Sequence, residues 1–286
     1  MVSEPAGAPG VDERVVCVVR AVQDAGQARK LVAFASALAD GLGAKLALVG
    51  VAEAVPPAAV APTMGVPITL APELPGLHVP PADLTAVAQD AGVHPAHCQT
   101  VTGTVAAVLD GLSEQPSTAL LVVGDEGDGA AWSAVTGAPA RRALGDLPVP
   151  LVLVPRGTEK PSGPGWRVAA GVLEVAESRS VLAIAGALVE RLGGDLLLLV
   201  DEPSMDATAA LAQLVLPEGA DLRVELLAHD PAERLDAVLA HGEADLLVLA
   251  PPERGLVASA LLGSVFHAVA AGGHGAILVA PESART

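Results

Sequence analysis

Two groups of residues in this chain are of types that could do chemistry. The first is a run of glycines, Gly124, Gly127, Gly129 and Gly137, threaded with the carboxylates Asp125, Glu126 and Asp128. Glycine lets a chain turn tightly and lets backbone N–H groups converge, because no Cβ stands in the way. The carboxylates read either as a solvated acidic turn or as oxygen ligands for a divalent cation. The second group is His94-Pro95-Ala96-His97-Cys98. Its side chains are metal ligands by type, but Pro95 disrupts the spacing and no carboxylate partner is evident, so loop histidines are the plainer reading. His267 and His274 read as structural. Other chemistries lack their marks. The chain has no Gly-Lys-Ser/Thr loop, no Gly-x-Gly-x-x-Gly after a first strand, no nucleophile elbow and no credible Ser/His/Asp set. No catalytic residue and no metal site are expected, and the chain does not read as an enzyme.

The glycine run lies between two apolar segments, and the whole arrangement occurs twice. Ser117-Thr118-Ala119-Leu120-Leu121-Val122-Val123-Gly124 through Val149-Pro150-Leu151-Val152-Leu153-Val154-Pro155 is matched by Ala244-Asp245-Leu246-Leu247-Val248-Leu249-Ala250 through Ala276-Ile277-Leu278-Val279-Ala280-Pro281. Gly124 to Ala250 and Gly137 to Gly263 are both offsets of 126. A repeat of that size means two copies of a small domain rather than a solenoid unit. Upstream, Leu42 matches Leu192 at an offset of 150, so half one holds 24 extra residues. They fall in Ala54 to Pro81, where eight prolines forbid regular structure. That insert reads as a surface excursion or as a lid over a site.

Both halves alternate strands with helices. Val15–Val19 is a continuous β-branched run, as in a strand covered on both faces. Gln27–Leu42 has helical spacing, with Gly41 and Gly43 as its stop. Strands follow at Lys45–Val51, Gln99–Val101, Ala119–Val123 and Leu151–Val154, with helices at Val105–Leu112 and Ala138–Leu144. Half two reads as strands Arg167–Val172, Leu196–Val200, Leu222–Leu226, Leu246–Leu249 and Ala276–Val279, with helices Ser178–Leu192, Ala232–Ala240 and Ser264–Ala271. This order implies an α/β fold with a mainly parallel sheet. The domains are placed at 12–156, with the Pro-rich insert at 54–81, and at 166–282. The polar Gly/Pro-rich stretch 157–165 is the linker.

Composition narrows the function classes. Of 286 residues 51% are hydrophobic but only 1% aromatic, so the core must be Ala, Val and Leu. Nucleic-acid binding needs a basic groove and exposed aromatics. Here the net charge is -17, which opposes a phosphate backbone. The acid excess is shared, at -7 for residues 1–160 and -10 for 161–286, and reads as a soluble acidic surface rather than an interaction tail. Cys17 and Cys98 are too few for a disulfide framework or zinc site, and Cys17 reads as a small buried hydrophobe. No signal peptide is read at Met1–Pro5, and no apolar run reaches bilayer-spanning length. A cytoplasmic protein without membrane or nucleic-acid partners is expected.

The spacing Gly124-x2-Gly127-x9-Gly137-Ala138, between the fourth and fifth strands and in tandem copies, resembles the Gly-x2-Gly-x9-Gly-Ser/Thr pattern of the universal stress protein family. Asp230-Pro231-Ala232-Glu233-Arg234-Leu235, Ala244–Leu249 and Leu261-Leu262-Gly263-Ser264-Val265 match that family's usual text, and the resemblance covers nearly the whole chain outside leader, linker and insert. It implies two doubly wound domains of adenine nucleotide alpha hydrolase-like fold. Each would have a five-stranded sheet, and the two would pair through the last strands, Leu151–Val154 and Ala276–Val279. It also implies a stress-response or regulatory role, with protein partners left unnamed. In nucleotide-binding members the glycine loop wraps the phosphates of ATP, a helix N-terminus adds donors, a Ser/Thr hydroxyl adds another, and an Asp ending the first strand holds the adenosine.

The resemblance thus implies nucleotide contacts from Gly124, Gly127, Gly129, Gly137, Gly263, Ser264 and Val265. For the first three, tight turning at a strand-to-helix junction is the competing reading; for Gly263 and Ser264 it is a helix cap without a ligand. Both halves depart from the family pattern. Half one has Arg20 at the Asp position and Ala138 at the hydroxyl position. Its three loop carboxylates would each oppose a triphosphate by about 1 kcal/mol even when solvated. Half two has Leu173 at the Asp position, Ala250 and Glu253 for the loop glycines, and Pro251 and Pro252, which remove two donors. ATP binding, weak or absent, is the expectation, with a nucleotide-independent interaction module as the alternative and slow nucleotide hydrolysis as a third reading.

Overall fold

A computed structural model describes residues 13–20, 24–52, 83–124, 147–161, 163, 165–173, 175–201, 205–217, 219–227, 230–250, 268–269 and 272–281. Half one contains β1 (Arg14–Arg20), α1 (Ala25–Leu42), β2 (Lys45–Ala52), α2 (Leu84–Asp90), β3 (His97–Thr102), α3 (Val105–Ser113), β4 (Thr118–Gly124) and β5 (Leu151–Val154). Half two contains β6 (Arg167–Val172), α4 (Val175–Leu192), β7 (Asp195–Val200), α5 (Met205–Val215), β8 (Leu222–Leu226), α6 (Pro231–Ala240), β9 (Leu246–Leu249) and β10 (Ala276–Val279). The expected helix Ala138–Leu144, the insert 54–81 and most of Ser264–Ala271 lie outside the described residues; Ala268 and Val269 are helical.

The strands form one sheet in the order β3-β2-β1-β4-β5-β10-β9-β6-β7-β8. All pairings are parallel except the central one, where β5 and β10 run antiparallel with Leu153 opposite Ile277 and Leu151 opposite Val279. These are the two last strands that the family resemblance implies would pair. The five-strand order on one side of the junction is repeated on the other, as the matching text of the halves requires.

Continuous apolar strands are needed because both faces are covered. Val15, Cys17 and Val19 face a core built with Leu31, Phe34, Ala35 and Leu38 of α1, and the same core takes in Leu182 and Leu188 of α4. Val16 and Val18 face the other core, with Leu109 and Leu112 of α3 and Leu235 and Val238 of α6. Helices joining strands in opposite directions along the sheet thereby fall on opposite faces, as right-handed crossovers demand.

Two of the four aromatic side chains meet where the halves join. Phe34 of α1 and Trp166 before β6 lie edge to face, with ring centroids 5.4 Å apart and planes at 78°. Such a pair adds about 0.5–1.5 kcal/mol beyond its burial. Gly41 belongs to this contact and does not stop α1. A Cβ there would lie 2.6 Å from Leu192 Cδ2, whereas the terminating residue is Gly43 at φ 66. Gly193, at the matching place after α4, has φ 63.

Two helices lie where the sequence reading left none. Asp83 caps α2 by accepting from Thr85 N–H and Ala86 N–H at 3.1 Å, and Leu84, Val87 and Ala88 face inward. On α5, Thr208 and Ala212 are buried one turn apart. The signal for α2, an Asp followed by apolar residues at helical spacing, is local and readable.

The outer strand β8 is guarded by charge. Arg223 pairs with Glu225 at 3.0 Å and Glu243 at 2.7 Å, while Arg234 reaches Glu225 at 2.5 Å and Glu243 at 2.9 Å. Charged edges discourage strand addition. The Arg234 hydrogen bond, helped by nearby positive charge and opposed by desolvation, holds Glu243 below the usual carboxylate range. A lowered carboxylate stabilises the fold fully above its unfolded value of about 4.3 and loses that contribution as pH falls through the folded value.

Two outcomes follow for stability. Trp166→Ala is expected to cost about 3–5 kcal/mol in urea unfolding, through the cavity left against Phe34 and Leu192. Glu243→Gln is expected to shrink the stability difference between pH 6 and pH 3 by up to about 1 kcal/mol, because the pair is partly exposed. An unchanged pH difference in matched urea curves contradicts the second.

Candidate functional site

In an open parallel sheet, ligands bind beyond the carboxyl ends of the strands where the strand order reverses. In half one that point lies between β1 and β4. Val18 pairs with Val123, so Gly124 comes level with Val19, and Arg20 stands one residue further on, past the last rung. Gly124 also pairs with Val154 of β5. The strand register therefore brings Arg20 and the first glycine of the loop to one crevice. Gly127, Gly129, Gly137 and the carboxylates Asp125, Glu126 and Asp128 lie outside the described residues.

Arg20 is 8% exposed. It follows Val16 and Val18 on the alternating strand, so its side chain leaves on the face of α3. Arginine is rarely buried this deeply. A guanidinium is an obligate donor with no acceptor capacity, so this position offers the opposite chemistry to a carboxylate.

On the other side of Gly124 lies the start of α1. Asp24 caps it, accepting from Gly26 N–H at 2.9 Å and Gln27 N–H at 3.2 Å. One turn on, Lys30 Nζ donates to Glu159 Oε1 at 3.0 Å. Gln27, with its amide oriented to face Arg156, accepts from Arg156 Nη2 at 2.9 Å and from Nε. Gln27, Lys30, Arg156 and Thr158 thus border Gly124 around a cavity of only about 10 Å³. Sequence reading missed these neighbours. The Lys30–Glu159 pair spans 129 residues, and nothing local to either residue announces it.

The equivalent crevice in half two lies between β6 and β9, and the described residues that border it are apolar. Leu173 packs on the core containing Leu235 and Leu249, and Ala250 is buried. A Cβ on Gly171 would come within 2.6 Å of Leu249 Cδ2 and 3.1 Å of Leu235 Cδ2. Gly263, Ser264 and Val265 lie outside the described residues. A cavity of about 830 Å³ opens instead at the amino ends of β6 and β7, beside Trp166, Arg167, Glu190 and Asp195. It lies at the other end of these strands from the crevice, and Arg167 there is already engaged. Its Nη2 bonds Asp245 Oδ1 at 2.5 Å and its Nε bonds Oδ2 at 3.1 Å.

The structure does not gather His94, His97 and Cys98 into a ligand set. His97 and Cys98 are successive residues of β3 and point to opposite faces. His97 Nε2 lies 3.4 Å from Gln99 Oε1. Among the described residues no group of three or more His, Cys, Asp or Glu side chains could hold a metal ion. His274 stands 3.7 Å from Asp236.

The fold can now be set beside solved structures. One from Archaeoglobus fulgidus DSM 4304, a universal stress protein, matches with TM-score 0.61 at 14% identity, over 94% of this chain and 97% of that one. The cytoplasmic domain of a prokaryotic cation chloride cotransporter matches with TM-score 0.52 at 12% identity, over 96% and 97%. The fold is that of the universal stress proteins. The identities are low enough that the likeness reaches the fold alone. No family model matches the sequence, and no curated protein does. Among the described residues no helix is long and apolar enough to cross a membrane.

The two thiols differ sharply in access. Cys17 is fully buried, and burial pushes its thiol well above the ordinary value; Cys98 is exposed on β3. The thiolate is the reactive form. One equivalent of an alkylating reagent is expected in the native protein and two in denaturant, with Cys98 as the native site by peptide mass mapping.

Proposed function

We propose that this chain is a cytoplasmic, non-enzymatic regulatory protein of the universal stress protein type, a tandem pair of domains in which both crevices have lost most of their affinity for ATP. The observation that carries this reading is the pair of residues ending the first strand of each half. Where the family pattern has an acceptor for adenosine, half one has the buried cation Arg20 and half two has Leu173 packed on a core. A ribose hydroxyl donates well to a carboxylate and has no such acceptor in a guanidinium or a hydrocarbon. Losing one buried hydrogen-bond partner of this kind costs about 1–3 kcal/mol, or roughly one to two orders of magnitude in affinity.

The loops point the same way. Half one retains Gly124, Gly127, Gly129 and Gly137 but surrounds them with Asp125, Glu126 and Asp128. Half two retains Gly263, Ser264 and Val265 but places Pro251 and Pro252 where backbone donors are needed. A second reading, a nucleotide-independent interaction module, is favoured by the continuous sheet and by the same architecture in the cytoplasmic domain of a cotransporter.

Mass spectrometry of the protein purified without ligand and then denatured, followed by calorimetric titration with Mg-ATP, tests the proposal. No stoichiometric adenine nucleotide and no binding in the micromolar range are expected. Retained nucleotide or micromolar affinity would sink the impaired-site reading. In that case Gly127→Val abolishes binding if half one is responsible, and Gly263→Val does so if half two is. Turnover of ATP above background overturns the non-enzymatic assignment.

A further inference from the structure

The chain leaving β5 does not run straight into the linker. Pro155–Glu159 folds back as a turn, closed by Thr158 N–H donating to Pro155 O at 3.2 Å. Two polar contacts fasten that turn to α1. Lys30 Nζ meets Glu159 Oε1 at 3.0 Å, and Arg156 donates to Gln27 from Nη2 at 2.9 Å and from Nε. Seated in this way, the turn meets α1 and Gly124 around a cavity of about 10 Å³. That is room for about one water molecule. Glu159 is 77% exposed and Lys30 39%, so the ion pair is one that solvent and salt weaken readily.

We propose that residues 155–159 form a latch on the half-one crevice. With the turn seated, the α1 side of Gly124 is closed, and an anionic ligand of the nucleotide-phosphate class can reach it there only by lifting the turn. Such a ligand competes for the groups that hold the latch. Its phosphate oxygens replace the Glu159 carboxylate on Lys30 and the Gln27 carbonyl on Arg156. Ligand entry and latch closure are then mutually exclusive, and each weakens the other by the same factor. The turn is also the root of the linker that leads to Trp166 at the junction of the halves, so filling the crevice loosens the connection at its first point. The inference rests on Gly124 marking the ligand end of half one.

Glu159→Lys tests this on the full chain, because it repels Lys30, leaves both cations in place and changes an exposed side chain. Hydrogen exchange followed by mass spectrometry reads the latch, and titration with Mg-ATP reads the crevice. The expected result is exchange of residues 156–160 faster by about two- to fivefold, with Mg-ATP affinity higher by a similar factor. The charge swap Lys30→Glu with Glu159→Lys is expected to reseat the turn and slow exchange to the wild-type rate. Unchanged exchange in Glu159→Lys overturns the latch. Faster exchange with no gain in Mg-ATP affinity, including no binding by either protein, also overturns it while leaving the impaired-site reading intact. Should the wild type bind Mg-ATP at micromolar concentration, that reading fails on its own. The latch then stands if Mg-ATP speeds exchange at residues 156–160 and falls if it does not.

Discussion

The antiparallel pairing of β5 with β10 is the constraint on which the rest of the molecule depends. Each half alone would end in a four-residue strand of wholly apolar text, Leu-Val-Leu-Val in one and Ala-Ile-Leu-Val in the other. An open edge of that kind is a template for aggregation. Joining the two edges satisfies both sets of backbone groups and makes one ten-stranded sheet. It also puts α1 and α4 on the same face, where they meet through Phe34, Trp166, Gly41 and Leu192. Small residues fill most of the core, so the aromatic pair at this seam has no counterpart elsewhere among the described residues.

Within that shared frame the two crevices diverge in kind. The sheet fixes where each lies, because strand order and the direction of the strands leave one reversal point per half. It does not fix what fills them. Half one carries a buried positive charge beside a glycine and is flanked by a polar turn on α1. In half two, Leu235 and Leu249 pack over Gly171. The first strand thus ends in a buried guanidinium in one half and in a leucine packed on a core in the other.

Much of this frame is legible along the chain. Strands such as Arg167–Val172 and Leu246–Leu249 show themselves because burial on both faces demands unbroken apolar text. The helical face of α1 shows itself through Leu31, Phe34 and Leu38. The misread places have local causes. α2 is only seven residues long and follows a Pro-rich stretch, so its periodicity spans too few turns to stand out. Gly41 has the composition of a helix stop but serves close packing against Leu192, a contact 151 residues away. The residues bordering Gly124 gave no signal, because Gln27, Lys30, Arg156 and Thr158 are ordinary surface types until the turn after β5 folds back.

By itself the sequence determined the α/β class, the order of strands and helices, and the residues Arg20 and Leu173 at the ends of the first strands. These are properties of residue type and spacing, and periodicity carries them without knowledge of contacts. Only the tertiary structure decided that the paired last strands run antiparallel, and that Arg20 is buried at the end of β1 while Leu173 joins a core. It alone decided that the linker root is tied to α1. The physical reason is that each of these is a meeting of groups far apart in the chain, chosen by strand register and packing, and no local stretch of residues encodes it.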